Sequence, residues 1–143
     1  MIKFRQVMTV AVDFDSTVVK DKWPWKGEDV PGAEETLKKL VKAGHRLILL
    51  TQREHLQQGS CPDVLQVALD WFSSKGIRLW AINSNPTADT TYYPARKVYA
   101  DVYIDDHNIG IPRVDYLNEA GEYSPYVDWD FVDAWFKGNG YYD

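Results

Sequence analysis

The stretch Val10-Ala11-Val12-Asp13-Phe14-Asp15-Ser16-Thr17-Val18 limits what this chain can fold into more than any other. An apolar, β-branched run stops abruptly at two carboxylates, Asp13 and Asp15, and a hydroxyl follows at Thr17. Such a run reads as a buried central strand. A buried strand has no structural use for two acids at its C-terminal end, because burying unpaired charge is costly. In open α/β sheets that end is where ligands bind. Residues i and i+2 of a strand share a face, so Asp13 and Asp15 face one site if the extended pairing continues. If the chain bends after Phe14, the Asp15 side chain points elsewhere and its backbone carbonyl becomes the available ligand. In both cases hard oxygen donors gathered at a strand end suit Mg²⁺.

The strand is expected over about residues 8–14. Lys20 to Asp29, with Trp23-Pro24-Trp25 and Gly27, reads as a loop or short hairpin over the strand end, since proline and glycine argue against a regular element. Ala33 to Ala43 is predicted helical, with Ala33, Leu37, Leu40 and Val41 on one face. Its acids come early and its lysines late, as the helix dipole favours, and Gly44 stops it. Leu47 to Leu50 is the second strand, ending at Thr51; strand, helix and strand make a parallel βαβ unit. A second helix runs from a Ser60 N-cap, with Pro62 and Asp63 in its first turn, to about Ser74. Leu79 to Ile82 forms the third strand, ending at Asn83, and a loop over 84–93 follows. Pro94 starts a short helical turn carrying Arg96 and Lys97, and Val102 to Ile104 forms the fourth strand, ending in Asp105-Asp106. Asp128 caps a last amphipathic helix with Trp129, Val132, Trp135 and Phe136 on one face, and residues 141–143 are expected to fray.

Parallel strands all point one way, so Asp13, Thr51, Asn83 and Asp105-Asp106 should converge along one edge of the sheet. The length, 143 residues, fits one domain with a real core. A net charge of -5 counts against a nucleic-acid binder that works through bulk positive charge, leaving only a local basic patch open. The lone Cys61 cannot make an internal disulfide and fits a reducing compartment. No run of apolar residues approaches a membrane span, so the expectation is a cytoplasmic protein with no membrane partner.

Four motifs in order give a resemblance to the haloacid dehalogenase-like superfamily. They are the apolar-DxDxT run at Asp13 to Thr17, the strand ending at Thr51, Lys97 before the fourth strand, and that strand ending in Asp105-Asp106. The resemblance covers about residues 10–108 and is nearest to the small capless members. It implies a single Rossmann-like, three-layer α/β/α domain over 1–143, with a central parallel sheet, a core of about 8–108 and a C-terminal extension, 109–143. A small flap takes the place of a cap domain.

The function it implies is a Mg²⁺-dependent phosphohydrolase, a phosphomonoesterase that works through an aspartyl-phosphate. Asp13 is then the nucleophile, Asp15 the general acid and base, Thr51 a donor to phosphate, and Lys97 a fixed positive charge. The Asp13 carboxylate, the Asp15 carbonyl and Asp105 hold the metal, with Asp106 behind them. The partner is a phosphorylated substrate of unspecified identity. Two alternatives stand beside this reading: a non-catalytic phosphate-binding or interaction module of the same fold, and a phosphatase acting on nucleic-acid ends.

Taken singly, these residues have plainer roles. Thr51 caps a turn, Lys97 is a surface lysine, and Asn108 forms a turn. Trp23 and Trp25, near Lys20, Lys22 and Lys26, either pin the flap or stack a base or sugar. Arg53 and His55 are expected at the surface. The aromatic tail is expected to pack into the core or an oligomer contact.

Overall fold

The computed structural model describes residues 6–87 and 95–143. Four parallel strands form the sheet: β1 (Thr9–Val12), β4 (Arg46–Leu49), β5 (Ala81–Ile82) and β6 (Val102–Ile104), in the order β5-β4-β1-β6. Two antiparallel pairs complete the strands of the described residues, β2 (Val19–Lys22) with β3 (Trp25–Asp29) and β7 (Arg113–Val114) with β8 (Tyr126–Val127). Among the described residues three helices lie between and after them: α1 (Ala33–Lys42), α2 (Val64–Lys75) and α3 (Trp129–Gly138). The expected α/β fold with a central parallel sheet is present.

All three helices pack on one face of the sheet. That face carries Val10, Val12, Leu47, Leu49 and Ile104, and it meets Leu37, Leu40, Ala68, Trp71, Trp129 and Phe136 in one buried cluster. Each fully buried leucine here contributes about 2 kcal/mol in apolar burial. The opposite face is thinner, with Ala11 and Ile48 covered by Ala100 and edged by Val98, Trp80 and Tyr103. The connections explain this difference. Right-handed crossovers from β1 to β4 and from β4 to β5 step the same way and put α1 and α2 on one face. The connection from β5 to β6 steps back across β1 and must pass over the other face. Among the described residues that face carries no helix, where a three-layer reading expects one. Pro94 lies outside the described residues, and Arg96 and Lys97 sit in a bend rather than a helical turn.

Local chemistry moved several boundaries. Asp63, not Ser60, caps α2, its carboxylate accepting from the Gln66 N–H, so Pro62 and Asp63 precede the helix. Lys20 to Asp29, with a register shift between Val19 and Asp21, forms the hairpin that was one of the two expectations. Gly27 is what permits it, since a Cβ there would sit 2.3 Å from the Lys20 carbonyl oxygen. The tail does not fray. Tyr141 and Tyr142 are buried, Tyr142 donating its hydroxyl to Asp133 and Tyr141 packing on Phe136 and His45. His45 is buried as well: its Nδ1 accepts from the Met8 N–H, which leaves Nε2 to donate to the Tyr141 carbonyl. Trp135, expected inward, is 39% exposed. The C-terminal segment is therefore part of the main core rather than an appendage to it.

Candidate active site

Backbone pairing runs one residue past each strand and brings the polar ends together. Asp13 N–H donates to the Ile104 carbonyl, Leu50 N–H to Val12, and Asn83 N–H to Leu49. Asp13, Thr51, Asn83 and Asp105 thus line one edge of the sheet, as parallel strands require. The chain then turns sharply. The Phe14 carbonyl accepts from the N–H groups of Thr17 and Val18, and Ser16 takes a left-handed φ of 58°. This bend ends the extended pairing before Asp15, so strand periodicity does not place its side chain.

Asp13 faces Asp105 and Asp106. Thr17 donates its hydroxyl to Asp13 at 3.3 Å and also reaches Asp106 at 3.5 Å. Burial, and then the charge of Asp105, push the Asp13 carboxyl up from 3.8 to about 8. Burial likewise raises Asp106. Among the described residues, His107 alone brings a basic side chain within ion-pairing distance of Asp105 or Asp106, and none reaches Asp13. Ligand atoms of Asp105, Asp106 and His107 lie within 4.8 Å of one another. Hard oxygen donors, partly buried and short of positive charge, fit a small divalent cation such as Mg²⁺.

Asp15 turns the other way and meets Arg53. Both carboxylate oxygens accept from the guanidinium, Nε at 2.8 Å and Nη2 at 2.7 Å. Arg53 was expected at the surface, but only 1% of its side chain is exposed. Its remaining donors go to the carbonyls of Pro24, Trp25 and Val64, and its central carbon lies over the Phe14 ring at 5.0 Å and the Trp23 ring at 4.9 Å. A guanidinium can be buried here because every donor has an acceptor and its charge is paired. One side chain therefore joins Asp15, the β2–β3 hairpin and the start of α2. The sequence does carry one hint of this: an arginine two residues beyond a strand end, opposite an acid at another.

The other expected residues fall around the same edge. Thr51 is half-buried; its N–H donates to the Asn83 side chain and its hydroxyl accepts from the Arg53 N–H. Asn83 sits at a φ of 51°, which asparagine tolerates better than most residues. Lys97 is exposed and lies over the Tyr103 ring, bonded to no carboxylate among the described residues. It nonetheless lines a hollow of about 500 Å³ whose wall includes Asp13, Asp105 and Arg96. Asn108 forms the turn expected of it, donating to the Tyr103 carbonyl. Trp129, among the aromatics expected in the core or at an oligomer contact, donates its indole N–H to the Thr17 carbonyl at 2.7 Å and fastens the turn after Asp13.

The main cleft, about 680 Å³ and open to solvent, is walled by Asp13, Asp15, Thr51, Arg53, Asp105 and Asp106, with Asp21 and Trp23 at the hairpin side. Lys20, Lys22 and Lys26 line a separate hollow of about 490 Å³ with Tyr116. Within the described residues no helix is long and apolar enough to cross a membrane.

A parallel-sheet α/β protein with an acidic cluster at the carboxyl ends of its strands is the class that fold and site define. Among solved structures it is similar to a conserved protein from Bacteroides thetaiotaomicron, at 34% identity and a TM-score of 0.71, over 94% of this chain and 93% of that one. The chain belongs to the same family as that protein. No protein-family model and no curated protein matches it.

Proposed function

We propose that the chain is a Mg²⁺-dependent phosphohydrolase of the haloacid dehalogenase-like type, Rossmann-like and capless but for the β2–β3 flap. The observation that carries this reading is Asp13. It is a carboxyl at the end of the central strand, crowded by Asp105 and Asp106, with no basic side chain of the described residues within ion-pairing distance of it, in an open cleft beside Thr51. The Asp13 carboxylate, Asp105 and the Asp15 carbonyl would hold Mg²⁺, with Asp106 behind them. The ion would supply the charge neutralisation that both the acids and a phosphate need.

Asp13 attacks phosphorus in line and the leaving oxygen departs, giving an aspartyl-phosphate; water then cleaves it and restores the carboxylate. Asp15 donates a proton to the leaving oxygen and takes one from that water. To do so, one of its oxygens has to leave the Arg53 fork. The Thr51 hydroxyl donates to a phosphate oxygen, and Lys97, reaching across from its hollow, adds positive charge.

The Arg53 fork also favours a second reading, a phosphate-binding module in which Asp15 never transfers a proton. An end-directed nucleic-acid phosphatase gains little support, since the lysines of the flap line the separate hollow. Five aspartates wall the cleft, and its one arginine is already paired.

Hydrolysis of p-nitrophenyl phosphate with and without Mg²⁺, using Asp13→Asn as the blank, separates the two readings. Metal-dependent release that is absent from the variant supports the phosphohydrolase. Binding of a phosphate analogue with no release from any phosphomonoester contradicts it and leaves the module.

A further inference from the structure

Trp23 is 57% exposed, yet it stands at the wall of the catalytic cleft rather than on an outer surface. One face of its ring lies on the Arg53 guanidinium, 4.9 Å from ring centre to the central carbon. Its backbone N–H is held by the Asp21 carboxylate at 3.1 Å. The same guanidinium binds the carbonyls of the next two residues, Pro24 and Trp25. This indole is not pinning the flap; Arg53 pins the flap, and the indole is carried on it. Trp25 is similarly exposed at 52% but does not reach the cleft.

The surroundings of Trp23 select what can lie against it. Asp21 flanks it and carries the uncompensated negative charge nearest the ring, while Asp15 is paired with Arg53. A neutral ring is not repelled by Asp21, and a hydroxyl on its sugar finds an acceptor in that carboxylate. An indole backed by a guanidinium and more than half exposed in the cleft is an arrangement that can stack a base.

We propose that Trp23 is the specificity-determining residue of the cleft and that the substrate is a nucleoside monophosphate, its base stacked on the indole. This rests on the phosphohydrolase reading for the reaction, but the stacking itself is a binding claim. Stacking on a preorganised ring contributes to ground-state affinity, so its signature is in Kd and KM rather than in kcat.

The test pairs adenosine 5′-monophosphate with glycerol 2-phosphate, which carries the same phosphoryl group and no ring. Calorimetric binding to Asp13→Asn with Mg²⁺ present measures affinity without turnover. KM values of the unsubstituted chain measure it during turnover. The nucleotide is expected to bind about tenfold more tightly than glycerol phosphate, the equivalent of one base–indole stack. Adding Trp23→Ala should erase that advantage, and Trp23→Phe should keep most of it. Equal affinities for the two ligands, or an advantage that survives Trp23→Ala, overturns the proposal. Glucose 6-phosphate enjoying the same advantage as the nucleotide also overturns it. If the nucleotide advantage holds in the binding arm while no substrate is hydrolysed, the stacking stands and the phosphohydrolase reading fails.

Discussion

The raised carboxyl of Asp13 predicts an unusual dependence of stability on pH. Its value, about 8 in the fold against 3.8 as an ordinary side chain, means the metal-free fold holds a proton that the unfolded chain releases. For a group raised on folding, stability is fully present below the unfolded value and is lost as pH rises toward the folded one. Each unit of difference is worth about 1.4 kcal/mol. Raising pH from about 5 to about 7 should therefore cost the metal-free protein about 3 kcal/mol through this group. Asp106, also raised by burial, acts in the same direction. The lowered carboxyls of Asp29 and Asp133 act in the opposite sense, but at lower pH, near and below the ordinary carboxylate value. Urea unfolding with a chelator present, at the two pH values, measures the loss. Asp13→Asn removes the titrating group, so its curve should be flatter and its stability at neutral pH higher than that of the unsubstituted chain. Stability that is level or rising across that interval, or an identical slope in Asp13→Asn, would refute the reasoning.

Replacing Arg53 by Met should destabilise the fold by about 3 to 5 kcal/mol, because Asp15 and three carbonyls lose their donor in a buried setting. Urea unfolding checks this, and a loss below about 1 kcal/mol would mean solvent reaches the pair. Trp129→Phe keeps the packing and removes the hydrogen bond to the Thr17 carbonyl. It should cost about 1 to 2 kcal/mol and lower kcat on p-nitrophenyl phosphate more than it changes KM. Unchanged kinetics with the stability loss present would make Trp129 a packing residue alone.

Much of the sheet was legible because apolar runs of strand length end in polar residues of the right kind. Asp13, Thr51, Asn83 and Asp105 lie where parallel strands must put them, whatever the family. Contacts between distant loops were not legible. Arg53 sits in a polar stretch that looks solvated, and only the fold brings the Asp15 carboxylate and the flap carbonyls to it. Of the two courses open to Asp15, the chain takes the bend after Phe14, which overrides strand periodicity. The tail misled for a similar reason. Tyr141 and Tyr142 look like a frayed end, but α3 returns them to the core, where His45, Phe136 and Asp133 receive them.

The measurement closest to the central claim is acid quenching of the protein during turnover of a labelled phosphomonoester with Mg²⁺, followed by mapping the label. The account predicts a hydroxylamine-labile phosphoryl group on the Asp13 carboxyl, absent when Mg²⁺ is withheld. Turnover with no label on Asp13, or with the label on another residue, would contradict it.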